Sequence, residues 1–206
     1  MAHGRTDAIG PDADTASAAL RVPSAEHDEV RLLGRTAAGD LRAFEALYRL
    51  YYPRLMRFVE RLTRRPALVE EVLNDTMLVV WNRADDFNGG SKVSTWIFAI
   101  AYRKALKALR RFDEPIDDES QAALVDTEPG PDRQADLWQL REALAKALDG
   151  LSAEHRAVVD LTYFHGLGYR EIAQIVSCPV DTVKTRMFHA RRKLRTLLAG
   201  RLEDWL

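Results

Sequence analysis

Residues 169–198, YREIAQIVSCPVDTVKTRMFHARRKLRTLL, place a short amphipathic stretch, a three-residue break and a longer basic stretch end to end. Ile172, Ala173 and Val176 give the first stretch an apolar face. Ser177-Cys178-Pro179 ends it, because proline disfavours helical geometry at the residue before it. Beyond the break, Val183, Met187, Ala190, Leu194, Leu197 and Leu198 recur at steps of three and four, which is the buried stripe of a second helix. The opposite face carries Lys184, Arg186, His189, Arg192 and Arg195. Two helices with that break form a helix-turn-helix, a device that places its second helix in the DNA major groove. A solvated basic helix is the plainer reading of the charges. The break and the apolar stripe on both sides of it favour DNA.

Working outward, the charges sort by segment. The chain of 206 residues has a formal net charge of −1. That total conceals −3 over residues 1–28, +7 over 29–112, −8 over 113–136 and +3 over 137–206. Two basic blocks are therefore separated by an acidic connector, and for a polyanionic partner the local field matters more than the total. The connector has three prolines and little periodicity, so it reads as an extended linker with a reach of roughly 80 Å at ~3.3 Å per residue. Residues 1–28 are small, polar and acidic and read as a disordered tail without a secretory signal.

The remaining segments predict helices. Val30 to Ala38 is short. Leu41 to Arg64 follows Asp40, a good N-cap, and turns Phe44, Leu47, Tyr48, Tyr51, Leu55, Phe58, Val59 and Leu62 inward. Ala67 to Arg83 has an inner stripe of Val69, Val72, Leu73, Thr76, Met77 and Val80. Asp86 to Ser91 is a loop by composition, and Val93 to Arg111 follows it. Leu137–Leu148 and Ala153–Phe164 precede the helix-turn-helix. The fold class is all-α, with two small helical bundles (29–112 and 137–206) joined by the acidic linker.

Composition excludes several functions. No run of about 18 apolar residues occurs, so no membrane span is expected. The five histidines lack metal-ligand spacing, and Cys178 alone can form neither a thiolate metal site nor an internal disulfide; this suits a reducing cytoplasm. His155 and His165 are expected to be surface or satisfied polar residues. There is no phosphate-binding glycine loop, nucleophile elbow or HExxH, so no enzyme, cofactor or metal is expected. Two features point instead to binding. Arg103, Lys104, Lys107, Arg110 and Arg111 line the fourth helix, Val93 to Arg111, beside an aromatic, glycine-rich loop. That combination suits single-stranded DNA, where cations track phosphates and apolar surfaces receive unstacked bases. Trp96 fits core packing and base contact equally, and Phe87 reads as a packing anchor. Glu70, Glu71, Asn74 and Asp75 share one polar helix face, either a docking face for a basic partner or a solvated surface.

FEALYRLYYPRL (44–55), VEEVLNDTMLVVW (69–81), FNGGSKVSTWIFAIAYRKALKALRR (87–111) and SCPVDTVKTRMFHARRKL (177–194) occur in this order, with an acidic linker between the last two. In this the chain resembles bacterial RNA polymerase sigma factors of the extracytoplasmic-function type, two-domain α-proteins that confer promoter specificity on core polymerase. The resemblance implies that Glu71, Asn74, Asp75 and Trp81 dock on the clamp of the largest polymerase subunit, with the flap region as a further contact. It implies that Phe87, Asn88, Ser91, Lys92, Ser94, Trp96, Arg103, Lys104 and Lys107 bind and melt the −10 element, capturing the non-template strand. At the duplex −35 element, Lys184, Thr185, Phe188 and His189 hold the contact positions, and Thr182, Arg186 and Arg192 face phosphates. An anti-sigma protein is a further partner the family admits. A conventional dimeric repressor or activator with the same motif is the competing reading.

Overall fold

The computed structural model describes residues 22–113 and 146–202, and the acidic linker and most of the expected helix 137–148 lie outside the described residues. All regular elements among the described residues are helical: α1 (Val22–Ala37), α2 (Leu41–Thr63), α3 (Pro66–Asn82), a 3-10 turn (Ala84–Asp86), α4 (Val93–Asp113), α5 (Ala153–Tyr163), α6 (Tyr169–Ile175) and α7 (Val180–Leu202). Residues 146–149 are also helical.

Local chemistry sets most boundaries. The Asp40 carboxylate accepts the backbone N–H groups of Arg42 (3.0 Å) and Ala43 (3.2 Å), satisfying two of the orphan donors that open α2. Gly39, at φ +82°, makes the turn before it. Pro66 opens α3, where its missing N–H costs nothing. Ser152 caps α5, and Glu171 reaches back from α6 to the Gly168 N–H. The largest displacement of a boundary is at the start of α1. That helix begins at Val22, so residues 22–28, expected within the polar tail, are helical, and Pro23 sits in the first turn.

Helices α1 to α4 enclose a core of Leu47, Tyr51, Leu55, Phe58, Leu62, Leu73, Met77 and Ile97, each almost wholly buried. Tyr51 donates its hydroxyl to Glu29 of α1 at 2.6 Å, and burial, together with that carboxylate, pushes its pKa far above the ordinary tyrosine value. In the C-terminal bundle, Val158, Leu161, Ile172, Val183, Met187 and Ala190 are buried as well and continue the same apolar core.

The two bundles pack directly on each other, α2 against α5 and α4 against α6. Arg61 of α2 pairs with Asp160 of α5, and Arg64 pairs with Asp149. The Arg156 guanidinium donates to the Leu62 carbonyl at 3.0 and 3.2 Å, satisfying an acceptor in the last turn of α2. Lys92 meets Glu171 at 2.8 Å.

Candidate nucleic-acid interface

The turn of the helix-turn-helix is built by backbone geometry. Val176 N–H bonds to the Ile172 carbonyl at 2.9 Å and Cys178 N–H to the Ala173 carbonyl at 3.1 Å. Between them Ser177 takes the left-handed conformation at φ +52°, which reverses the chain for α7. Val183, Met187 and Ala190 then seat α7 against α5 and α6, leaving Lys184, Thr185, Phe188, His189 and Arg192 exposed. Phe188 is 62% exposed, an unusual position for a phenyl ring unless it meets an apolar surface such as a thymine methyl. Lys184 is held by Asp181 one turn back, at 3.0 Å, through a surface pair that costs little to exchange for a phosphate or base. Thr185 returns its hydroxyl to the Asp181 carbonyl at 2.9 Å. Thr182 is half-buried at the start of the helix.

Arg186 departs from this outward group. Its guanidinium turns back toward Cys178 Sγ (3.9 Å) and toward Tyr102 of α4. His155 and His189 stand edge to face at 6.4 Å. Burial, then His189 and Arg186, lower the His155 pKa below 6.5, so the ring is neutral at physiological pH.

The second cationic region surrounds α4. The loop Phe87–Ser91 is set by the Asn88 side chain, which accepts the Gly90 N–H at 2.9 Å, while Gly89 adopts φ +73°. Phe87 packs edge to face on Trp96 at 5.8 Å, as expected of an anchor. Trp96 is partly buried, so the ring serves the core while presenting an edge to the loop. Asn88 is exposed, and Ser91 and Ser94 are half-buried. Arg103 and Lys107 project freely from α4. Lys104 does not: it pairs with Asp75 at 3.0 Å.

The acidic face of α3 is therefore not bare. Asp75 meets Lys104 and Glu71 meets Arg111, tying α3 to α4, while Asn74 remains exposed. A feature that residue spacing alone did not disclose lies beside it. Leu41, Phe44, Tyr48, Asn74, Met77, Leu78 and Trp81 line an open, predominantly apolar groove of about 440 Å³. Leu41 is 67% and Leu78 57% exposed. Trp81 packs edge to face on Phe44 at 5.1 Å. The signal was present in the sequence as apolar residues at outward positions of α2 and α3. An exposed apolar patch of this kind makes the groove a candidate binding surface.

The link between Lys92 and Glu171 has a definite pH window. The Lys92 ammonium, opposed by burial and helped by the Gly168 N–H, holds the Glu171 carboxyl below 4.5, and the carboxylate raises Lys92 above 10.5. The stabilisation is complete between those two ordinary values. It is lost as pH falls through the depressed Glu171 pKa or rises through the raised Lys92 pKa. Melting curves for wild type and Glu171→Gln are expected to differ across that window and to converge in acid; a constant offset at every pH would contradict the assignment.

Known proteins match this arrangement segment by segment. The Sigma-70 region 2 family matches residues 47–113, and the Sigma-70 region 4 family matches residues 141–194. The chain is similar to the ECF RNA polymerase sigma factor SigK of Mycolicibacterium vanbaalenii, 31% identical over 88% of this chain and 94% of that protein. It is also similar to the RNA polymerase sigma-H factor of Pseudomonas aeruginosa, 26% identical over 87% of this chain and 98% of that one. Among solved structures, CnrH in complex with the cytosolic domain of CnrY is similar at TM-score 0.62 and 26% identity, covering 84% of this chain and 98% of that one. The sigma factor RpoE in complex with the anti-sigma factor NepR, from Bartonella quintana, is similar at TM-score 0.59 and 27% identity, covering 77% and 98%.

Proposed function

Because the chain belongs to the RNA polymerase sigma factors of the extracytoplasmic-function family, we propose that its two cationic bundles divide promoter reading between them, each through its own set of residues. The protein is a promoter-recognising initiation subunit, a partner of core RNA polymerase and promoter DNA, with no catalysis of its own.

Residues 29–112 form the unit that meets core polymerase and the −10 element, residues 137–206 the unit that reads the −35 element, and residues 113–136 the tether. Lys184, Thr185, Phe188 and His189 approach base edges of the −35 element, and Thr182 and Arg192 fix register on phosphates. Arg186 joins them once released from Tyr102. At the −10 element, Arg103 and Lys107 track the non-template strand, while Phe87, Asn88, Ser91, Ser94 and Trp96 form the wall of the loop that accepts an unstacked base. Extruding that base costs a few kcal/mol, which the pocket and the cationic track offset. Lys92 and Lys104 add positive charge once their carboxylate partners are exchanged for phosphate. The apolar groove, flanked by Glu71, Asn74 and Asp75 and floored by Trp81, receives the polymerase clamp.

The protein works in the cytoplasm, where polymerase is. No helix among the described residues is long and apolar enough to cross a membrane. An anti-sigma protein is proposed as a regulator, a reading supported by the likeness to RpoE, whose structure was solved with the anti-sigma factor NepR bound.

The observation that carries the −35 assignment is the exposure of Lys184, Phe188 and His189 on a helix whose other face is locked into the core. Run-off transcription with purified core polymerase on a promoter pool tests it. Lys184→Ala and His189→Ala are each expected to reduce discrimination at an upstream base pair by about 1–3 kcal/mol while leaving core binding intact. Unchanged selectivity in both variants would remove α7 from promoter reading. Tight operator binding by the isolated protein would favour a conventional repressor instead.

A further inference from the structure

Arg54, Arg57 and Arg61 recur along α2 at steps of three and four. One helix face therefore carries three guanidinium groups within about 10 Å, at ~1.5 Å rise per residue. Packing brings Phe164 and His165 of the other bundle to the same place, and these five residues line an open cavity of about 300 Å³. Like charges gathered at one cavity repel unless anions sit among them. Among the described residues, only Arg61 of the three pairs with a carboxylate, through its Nε on the buried Asp160. Its terminal nitrogens remain for a ligand.

The other two arginines are placed rather than loose. Arg57 donates its Nε to the Pro53 carbonyl of its own helix at 3.1 Å, again leaving its terminal nitrogens. Arg54 lies over the Tyr51 and Phe98 rings, 5.2 and 5.6 Å from their centroids. A guanidinium held on rings is weakly hydrated and already oriented, which suits it to a phosphate oxygen. The remaining wall is aromatic. Only 7% of the His165 side chain is exposed, its ring set edge-on against Phe98 (4.7 Å) and Phe58 (6.0 Å). Phe164 is 53% exposed, with Arg61 over its ring at 4.2 Å. Cations for a multivalent anion and an exposed ring for a planar group thus meet in one concavity. At ~30 Å³ per water the cavity has room for about ten waters, more than a lone phosphate fills.

We propose that this cavity binds a free nucleoside polyphosphate, with its phosphates on Arg54, Arg57 and Arg61 and its base on the Phe164 ring. The site uses none of the residues assigned above to promoter or polymerase, so it stands apart from those assignments. Inorganic polyphosphate and the backbone of a nucleic acid share part of this chemistry. The first lacks a base to stack, and the second is a polymer that a free nucleotide has to outcompete.

Equilibrium binding to the full chain tests this, with GTP, ATP, tripolyphosphate, guanosine and a short single-stranded oligonucleotide as probes. At least one of the two nucleotides is expected to saturate a single site below about 1 mM. Tripolyphosphate is expected to bind about tenfold more weakly for want of stacking, and guanosine not measurably. Arg57→Gln, at an exposed position that leaves the core untouched, is expected to weaken nucleotide binding about tenfold. Phe164→Ala is expected to weaken the nucleotide about tenfold while leaving tripolyphosphate unchanged, a split that general loosening of the fold does not produce. Arg103→Gln, which removes a cation of α4 outside the cavity, is expected to leave nucleotide affinity as it was. Absence of saturation by either nucleotide overturns the site, as do equal losses in Arg57→Gln and Arg103→Gln. Tripolyphosphate binding as tightly as the nucleotides overturns the assignment to a nucleoside. An oligonucleotide that displaces GTP at lower concentration, and loses affinity in Arg57→Gln, overturns the free nucleotide in favour of nucleic acid.

Discussion

Phe58→Ala is expected to cost about 3–5 kcal/mol of stability, at the upper end of what one substitution can remove. Phe58 is wholly buried in the middle of α2, its ring 5.3 Å from Phe98 and 6.0 Å from His165. Truncation removes the apolar transfer term and leaves a cavity that cannot collapse, because α2 is held on one side by α3 and α4 and on the other by α5. Against a total stability of about 5–15 kcal/mol, this is about a fifth or more of what holds the domain together. Urea unfolding followed by circular dichroism measures it, with the slope checked so that a midpoint shift reports stability. The same ring supports His165 from below, so the variant is also expected to loosen the seat between bundles. A cost under about 1 kcal/mol would mean that the core around α2 is not packed as described.

Leu78→Glu is expected to weaken core polymerase binding by one to two orders of magnitude while leaving the melting temperature nearly unchanged. Leu78 is 57% exposed, so the folded chain loses little when it is replaced. It lines the groove together with Phe44, Met77 and Trp81, the surface proposed above to receive the polymerase clamp. Central apolar anchors typically carry about 2 kcal/mol or more, and each ~1.4 kcal/mol is a factor of ten in affinity. Fluorescence anisotropy of a labelled chain titrated with core enzyme reads the change. Glu71→Lys with Asp75→Lys is expected to act more weakly, because Arg111 and Lys104 already neutralise those carboxylates. Wild-type affinity in Leu78→Glu would move the polymerase contact away from this groove.

Much of the architecture was legible because it depends on short-range chemistry. The Asp40 cap, the Pro66 helix start and the three- and four-residue apolar spacing of α2, α3 and α7 act within a turn or two. The helix-turn-helix was readable for the same reason, Pro179 marking the break and the two stripes being periodic, although the left-handed Ser177 that makes the turn was not foreseen. The start of α1 was misplaced because residues 22–28 carry almost no apolar periodicity. Charge by segment was also local, and it separated the two basic bundles from the linker.

Partnerships across the chain were settled only by packing. Spacing could place Glu71, Asp75, Lys104 and Arg111 on helix faces, but not show that α3 and α4 bring them into pairs. Nothing near His165 in sequence distinguishes it from a surface histidine; it is buried because Phe58 and Phe98, far away along the chain, form its walls. Arg61 and Asp160 are 99 residues apart, and Lys92 meets Glu171 from another bundle. Amino-acid order thus determined the helices, their inward faces and the charge of each block, since those follow from interactions within a few residues. The tertiary structure alone decided which charges are neutralised, which apolar surface stays open and how the two bundles close on each other, because such contacts exist only when distant segments share the same space.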